Sequence, residues 1–174
     1  MAVQLKVLTL EDVPQLTDLV RAQAEHLRPW EPARPAHYYS IDKQTQYAAT
    51  AIDAYQRESS VPFLIWSDED ELLGRVTLSG ITRGALLSCA IGYWVRDDRA
   101  DRGHATQAVA QAVDYAFSTL KLHRVQAEIL PENVASQRVL ARNGFRLFGV
   151  APDYLRINGS WRDHLMFQRL NEDA

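Results

Sequence analysis

The sequence predicts an α+β fold in which one mixed, mostly antiparallel sheet carries helices on both faces. Two observations support this. Strand-like segments follow one another through short turns near both ends of the chain, and the stretches between them show the apolar spacing of helices. The 174 residues suit a single domain spanning 1–174, because a chain of this length can bury a core of its own.

The first part of the chain is predicted to form a strand, a helix, a loop and a second helix. The segment AVQLKVLTL alternates like a strand, and Thr9 begins a helix through a capping box that has Asp12 in place of the usual Glu. The apolar face of this helix consists of Val13, Leu16, Leu19, Val20 and Leu27. Three prolines then make HLRPWEPARPAHYYS an irregular loop, and the second helix follows at about residues 42–58.

The remaining elements follow the same reasoning. VPFLIW and LLGRVTLSGI flank the acidic turn SDEDE as a hairpin, and LLSCAIGYWV is a further strand. Apolar residues recur at helical spacing from Ala105 to Leu120. HRVQAEIL is a strand, and NVASQRVLARNG is a short helix with Asn133 as N-cap and Asn143-Gly144 as its stop. FRLFGVAPDYLRI and SWRDHLMFQRL are closing strands joined at the hairpin dipeptide Asn158-Gly159.

Composition and charge argue against several classes of partner. Hydrophobic residues make up 47% of the chain and charged residues 24%, and 19 Lys and Arg against 22 Asp and Glu give a net charge of -3. Without a positive excess we expect neither nucleic acid nor a membrane as a direct partner. The single cysteine, Cys89, excludes an intrachain disulfide and a cysteine zinc cluster, and we expect no metal. A cytoplasmic location is expected, because no apolar run approaches membrane-spanning length.

The loop ADRGHA, before the long helix, has features of a phosphate cradle. A helix N-terminus offers unpaired N–H groups and a partial positive charge, and Gly103 lets the backbone approach a ligand closely. The loop lacks the Gly-Lys-Ser/Thr of a Walker motif, and one glycine is too few for a dinucleotide fingerprint. Asp98 is expected to face solvent. Asp101 stands at the expected N-cap position, where its carboxylate would compete with a phosphate for the same amides.

The order of these elements, with the stretches AIGYWV, ADRGHA and HRVQAEILPENVASQRVLARNGF, resembles the GNAT family of acetyl-CoA-dependent N-acetyltransferases. The loop pattern of that family is Arg/Gln-x-x-Gly-x-Gly/Ala, which Gly103 and Ala105 match and Ala100 does not. HLRPWEP, TRGALLSCAIGYWV and DYLRINGSWRDH are similar to the RimJ-type branch, the bacterial ribosomal-protein-alanine N-acetyltransferases. The resemblance runs from about residue 5 to 170, and it implies that the neighbouring strands AIGYWV and HRVQAEIL splay apart.

The resemblance also implies where acetyl-CoA would bind. The positions are Trp94, Val95 and Arg96 for the pantetheine arm, through their backbone, and Arg102, Gly103, His104, Ala105 and Thr106 for the pyrophosphate, through their amides. The arginines of the loop (Arg96, Arg99 and Arg102) are expected within reach of the phosphates. Asn133 would either cap its helix alone or also bind the pantetheine arm, and Ser136 would face the thioester sulfur.

The implied reaction is direct attack of a neutral amine on the thioester, so an ammonium proton must first be removed. An α-amino group with a pKa of about 7.7–8.0 is about a quarter neutral at pH 7.4, whereas a lysine amine near 10.4 is only about 0.1% neutral. Acetylation of an α-amine therefore needs only water or one modest carboxylate as base. Glu128 and Asp163 are the candidates, and each could instead be purely structural. Ser136, and after it Tyr93, are the candidates to protonate or hydrogen-bond the leaving thiolate, while Cys89 is expected in the core.

The acceptor is expected to approach from the opposite side of the sheet, between HLRPWEPARPAHYY and NGSWRDH. The residues expected to frame an aromatic groove there are Trp30, Glu31, Tyr38, Tyr39, Trp161 and Asp163. Glu31 or Asp163 would attract the ammonium group. The alternative is that Trp30 and Trp161 simply cover the core.

Three functions remain open at this point. The resemblance implies acetylation of a protein N-terminus, with ribosomal protein S5 as the acceptor. A small amine is the first alternative, such as an antibiotic, an aminoacyl conjugate or a polyamine, because acceptor choice lies in loops and not in the fold. A non-catalytic acyl-CoA-binding module is the second, supported only by Ala100 and Asp101. A monomer and a homodimer are both compatible with the sequence.

Overall fold

The computed structural model describes residues 2–100 and 102–172 of the chain. The strands are β1 (Val3–Val7), β2 (Ser60–Ser67), β3 (Leu72–Thr82), β4 (Ser88–Val95), β5 (Arg124–Ile129), β6 (Arg146–Ile157) and β7 (Ser160–Leu170). The α-helices are α1 (Val13–Ala22), α2 (Ala24–Leu27), α3 (Ile41–Gln56), α4 (His104–Ser118) and α5 (Val134–Arg142). Short 3-10 helices occupy Leu10–Asp12, Ala36–Tyr39 and Asp97–Arg99.

The strands form one seven-stranded sheet in the order β1-β2-β3-β4-β5-β7-β6. All neighbouring strands are antiparallel except β4 and β5, which run parallel. The predicted mixed, mostly antiparallel sheet is therefore confirmed. The parallel pair follows from chain order, since α4 crosses over between the two strands.

Helices cover both faces of this sheet, as predicted. On one face, α4 buries Val109, Val113 and Ala116 against apolar side chains of β2 to β5 and β7. On the other face, α1 buries Leu16 and Val20 against a second cluster that includes side chains of β2 and β3. Across the described ranges, no helix is both long enough and apolar enough to span a membrane.

Strands β4 and β5 separate part-way along their length. Their pairing ends at Ala90 and Gln126, although β4 continues to Val95 and β5 to Ile129. Each strand keeps its other neighbour beyond that point, with Val95 opposite Gly74 on β3 and Ile129 opposite Leu165 on β7. The predicted splayed pair is therefore present, and a gap opens in the middle of the sheet.

Most local predictions hold, with shifts at helix ends. The backbone N–H of Thr9 donates to the Asp12 carboxylate at 2.8 Å, which confirms the capping box. The first helix does not continue to Leu27, because the chain leaves helical geometry at Gln23 and splits it into α1 and α2. The second helix is capped by Ser40, so it begins and ends slightly earlier than predicted.

Candidate active site

The gap between β4 and β5 opens into a cavity of about 820 Å³. That volume lies within the usual range of about 300–1,000 Å³ for small-molecule sites. The cavity extends from the N-terminus of α4 on one face of the sheet to the loop between α2 and α3 on the other. We call these the helix end, lined by residues 103–106, Asn133 and Ser136, and the carboxylate end, lined by Glu31, Arg34, Arg75, Glu128 and His164.

Gly103 is the N-cap of α4 and sets the geometry of the helix end. Its φ of 80° is left-handed, a conformation that glycine adopts without strain. The N–H of Gln107 donates to the Gly103 carbonyl, so the amides of His104, Ala105 and Thr106 precede that bond and have no intrahelical acceptor. The N-cap position predicted for Asp101 is therefore wrong, because Gly103 occupies it. Asp101 itself lies outside the described residues.

The arginines nearest this loop are held elsewhere. Arg96 pairs with Glu71 at 2.7 Å and with Asp98 at 2.6 Å, and Arg99 pairs with Glu71 at 3.0 Å. Asp98 is exposed, as predicted, and its pKa is lowered mainly by its hydrogen bond from Arg96. Arg96 and Arg99 are thus engaged with carboxylates, and Arg99 also lines the cavity, so their reach toward phosphates stays a prediction. Arg102 is exposed on the loop.

The cavity wall also includes two arginines that sequence reasoning missed. Arg138 and Arg142 project from α5 beside the helix end. Their signal was present in VASQRVLARNG, where they lie four residues apart and so on one side of the helix.

Only every second residue of strand β4 directs its backbone N–H and C=O groups into the gap. The N–H of Arg96 donates to the Leu73 carbonyl on β3 at 2.8 Å. Because successive residues of a strand direct their N–H and C=O groups to opposite sides, Trp94 also faces β3, while Tyr93 and Val95 face the gap. Of the three residues predicted to pair with a pantetheine arm, Val95 is the one that presents its backbone there, and Trp94 and Arg96 do not.

Tyr93 and Ser136 meet on the helix end of the gap. The Tyr93 hydroxyl donates to the Ser136 carbonyl at 3.2 Å, and the Ser136 N–H donates to the Asn133 side chain at 3.0 Å, which confirms Asn133 as the N-cap of α5. Burial raises the pKa of Tyr93 far above its ordinary value, so the phenol keeps its proton and acts as a hydrogen-bond donor. Burial also raises the pKa of Cys89 to about 12, which keeps this core thiol protonated and unreactive.

Glu128 lies on the opposite face of the sheet from Tyr93. Its neighbours on β5, Val125, Ala127 and Ile129, point into the cluster under α4, so the alternating side chain of Glu128 points to the other face. It lines the cavity there. Burial raises the pKa of the Glu128 carboxyl, while its own backbone hydrogen bond and the nearby His164 act in the other direction. A partly desolvated carboxylate beside a gap is suited to accept a proton near neutral pH.

His164 is the second titratable group at the carboxylate end, and sequence reasoning missed it as a site residue. It is 2% exposed, and its ring stands 5.6 Å from the Tyr154 ring, centroid to centroid, in an edge-on contact. The signal was the final residue of GSWRDH, a block quoted for the resemblance without a role for its histidine.

Asp163 and Trp161 take no part in the cavity, which corrects two predictions. The Asp163 carboxylate accepts the backbone N–H of Asp153 at 2.9 Å and stabilises the irregular stretch of β6 between Ala151 and Leu155. Asp163 is exposed and its observed contact is structural, although with the Asp153 backbone and not with Arg162 or Arg156. Glu128 remains as the candidate base. Trp161 is 60% exposed near the turn between β6 and β7.

The aromatic residues of the loop between α2 and α3 have different positions, on the wall of the cavity, in the core or in a smaller recess. Trp30 is 37% exposed and lines the cavity, as predicted. Tyr38 is buried in the core cluster under α1 and reaches the cavity from there. Tyr39 lines a smaller recess of about 110 Å³ instead, and burial is the main cause of its raised pKa.

Glu31 is not a free carboxylate at the carboxylate end. Its oxygens lie 3.5 Å from Arg34 Nε and 3.6 Å from Arg75 Nη2. The Arg34 guanidinium stacks over Tyr38 at 4.5 Å, and that of Arg75 lies 5.8 Å from the Trp94 ring centroid. The predicted ammonium attractant is thus neutralised by two guanidinium groups, so this cluster is positive overall.

Comparison with known proteins agrees with this geometry. The model of the acetyltransferase (GNAT) domain matches residues 3–146. The chain belongs to the GNAT acetyltransferase family. A probable N-acetyltransferase, YjcK of Bacillus subtilis, is 38% identical to this GNAT chain over 141 residues, covering 80% of this chain and 78% of the relative. The [ribosomal protein uS5]-alanine N-acetyltransferase of Escherichia coli is 33% identical over 158 residues, covering 89% and 80%.

A solved structure similar to this chain contains a CoA derivative. Mycobacterium smegmatis RimJ, in complex with CoA-disulfide, superposes with a TM-score of 0.94 at 33% identity, covering 98% of this chain and 83% of that one. The resemblance inferred from ADRGHA and from the RimJ-type stretches is confirmed at the level of the family and of its homologues.

Proposed function

We propose that this GNAT enzyme transfers the acetyl group of acetyl-CoA to the α-amino group of a protein N-terminus, of the ribosomal-protein-alanine type. The observation that carries the proposal is the single cavity across the sheet. It connects the unpaired amides of α4 at one end with the partly buried carboxylate of Glu128 at the other. A thioester lying in the gap would be reached from the carboxylate end by an amine.

Acetyl-CoA is supported by the helix end and by the CoA-bound relative. The amides of His104, Ala105 and Thr106 suit a pyrophosphate, because a helix N-terminus binds anions through its free N–H groups. The peptide groups of Tyr93 and Val95 face the gap, where they can pair with the amides of a pantetheine arm. Acetyl-CoA supplies the activated acyl group, and the chain supplies orientation and proton transfer.

The proton transfers would take place on opposite faces of the sheet. Glu128 takes a proton from the ammonium group, and the freed amine attacks the thioester carbonyl carbon. As the N–C bond forms and the C–S bond breaks, the nitrogen would lose its second proton and the sulfur would gain one, so that the products are the amide and the CoA thiol. The leaving sulfur would receive a hydrogen bond from Ser136, or from Tyr93 once its hydroxyl turns away from the Ser136 carbonyl. The raised pKa of Tyr93 favours hydrogen bonding over complete proton transfer by that residue.

The charge of the carboxylate end favours a peptide over a polyamine as acceptor. Glu31 is offset by Arg34 and Arg75, so it offers no surplus negative charge to a molecule with several ammonium groups. A peptide N-terminus carries one ammonium group, which Glu128 receives, followed by carbonyl oxygens that can accept hydrogen bonds from guanidinium groups. The name of the E. coli relative, [ribosomal protein uS5]-alanine N-acetyltransferase, gives an acceptor of that class.

The test is a competition among acceptors in one reaction with isotopically labelled acetyl-CoA. The mixture contains a peptide that begins with alanine, the same peptide with a blocked N-terminus and one lysine, and spermine. We expect the label on the free α-amine, read by mass spectrometry. Label mainly on lysine or on spermine would refute the proposed acceptor, and failure of acetyl-CoA to bind in calorimetry would refute the cofactor site.

A further inference from the structure

His164 has a fixed tautomer that leaves one ring nitrogen able to accept a proton. Its Nδ1 lies 2.9 Å from the carbonyl oxygen of Arg162. A carbonyl oxygen only accepts, so Nδ1 must carry the hydrogen of that bond. In the neutral ring the other nitrogen, Nε2, is then the unprotonated one.

The sheet places this side chain on the same face as Glu128. Glu128 on β5 is opposite Met166 on β7, and His164 lies two residues before Met166, so both side chains stand on the same face. Both line the cavity at its carboxylate end. The charged and titratable groups that face the ring from the packed strands are Glu128 on β5 and Tyr154 on β6, while Arg162 on β7 is turned outward and pairs with Glu132.

We propose that His164 is a second proton acceptor of the acetyl transfer, working beside Glu128 through its Nε2 atom. Where the ammonium proton does not pass directly to Glu128, its N–H bond breaks with the electron pair left on nitrogen, and the proton forms a bond with Nε2 while Glu128 stays a carboxylate. The resulting imidazolium is held by the Arg162 carbonyl at Nδ1 and stabilised by the Glu128 carboxylate. The proposal needs acetyl transfer to an amine, which rests on the proposed function, but it does not depend on which amine is the acceptor.

Two features place His164 where a bound amine can reach it. Its ring is almost fully buried, and it contributes to the wall of the cavity. Its hydrogen bond to the Arg162 carbonyl uses Nδ1, and no hydrogen bond to Nε2 is found among the described residues.

The test uses His164→Asn, whose side-chain amide can still donate to the Arg162 carbonyl, and His164→Ala, which leaves room for a free ring. His123→Asn is the control, since His123 precedes β5 and lies outside the cavity wall. We expect kcat to fall about a hundredfold in both His164 variants, the usual scale for loss of a proton acceptor, with the acetyl-CoA Kd unchanged. The control should keep the wild-type kcat.

Chemical rescue separates proton transfer from packing. Imidazole should restore much of the kcat of His164→Ala, whereas pyrazole, a ring of the same size that does not take up a proton near neutral pH, should not. Equal rescue by both rings, a wild-type kcat in His164→Asn, or a loss of acetyl-CoA affinity equal to the loss of kcat would overturn the proposal. If the wild type acetylates an amine other than an alanyl peptide, the proposed acceptor is wrong but the role of His164 is still testable. The kcat values of the wild type and the His164 variants are then compared with that amine.

Discussion

The helix end and the carboxylate end of the cavity are built from different parts of the polypeptide. At the helix end, the groups that face a ligand are chiefly backbone amides from a few consecutive residues after Gly103. At the carboxylate end they are side chains from β3, β5, β7 and the loop before α3, which the chain brings together over more than a hundred residues. The proposed cofactor site is therefore mainly local in the sequence, while the proposed acceptor site depends on long-range packing.

This difference explains how one fold can keep its cofactor and change its acceptor. Backbone amides present the same groups whatever the side chains are, provided that the turn at Gly103 is preserved. A single substitution at Glu31, Arg34 or Arg75 changes the charge that an acceptor meets. Substitutions at the carboxylate end should therefore change acceptor specificity, and substitutions at the helix end should change acetyl-CoA affinity.

The largest change in cofactor binding is expected for Gly103→Asp. The substitution adds a carboxylate where phosphates would bind and places a side chain at a φ of 80°. Loss of two charge-assisted hydrogen bonds corresponds to an acetyl-CoA Kd weakened about a hundredfold, measured by calorimetry. Gly84→Asp is the matched control, because Gly84 also has a positive φ, at 71°, and nothing within 4 Å of an added Cβ. Unchanged affinity in Gly103→Asp would remove the helix end as the phosphate site.

The pH dependence of kcat should report the carboxylate end. Burial raises the pKa of Glu128, and only its carboxylate form can accept a proton. Activity is therefore full above the raised pKa and is lost as the pH falls through it, by about tenfold for each further pH unit. With both substrates saturating, the acid limb should lie above the ordinary glutamate value of about 4.3. An acid limb at or below that value would contradict this role for a buried carboxylate.

A smaller and selective effect is expected for Arg75→Gln. Loss of one guanidinium removes a donor for acceptor carbonyls and returns part of the negative charge of Glu31. The KM for an alanyl peptide should rise about tenfold, the scale of one hydrogen bond to a charged group, while the acetyl-CoA Kd stays the same. Acetylation of spermine should improve relative to the peptide. Arg83→Gln serves as the control, since Arg83 pairs with Glu58 away from the cavity.

The smallest effect is expected at the cap of α5. Asn133→Ala removes the acceptor for the Ser136 N–H and should lower the free energy of unfolding by about 1 kcal/mol, measured by urea denaturation. Asn133→Asp keeps a capping oxygen and should keep most of that stability. If acetyl-CoA affinity falls in Asn133→Ala alone, loss of the cap is the cause, whereas a fall in both variants would indicate that the amide group itself contacts the cofactor.

The same contrast between local and long-range construction determines which features could be predicted from the sequence. The Asn133 cap and the succession of strands and helices along the chain are encoded in short stretches with their own spacing, and they could be predicted. Asp163 and Trp161 were assigned to the acceptor site because they lie in a family-like block, yet the two-residue period of β7 turns His164 into the cavity and leaves Asp163 exposed. The pairing of Glu31 with Arg75 joins a loop and a strand, and no local pattern announces it.

The central claim is that the carboxylate end performs the proton transfer while the helix end holds the cofactor. The most direct test measures kcat and the acetyl-CoA Kd together in Glu128→Gln, with Asp163→Asn as a matched loss of one carboxylate. We predict that kcat falls about a hundredfold in Glu128→Gln with an unchanged Kd, and that Asp163→Asn keeps both values. A wild-type kcat in Glu128→Gln, or a greater loss of kcat in Asp163→Asn, would contradict it.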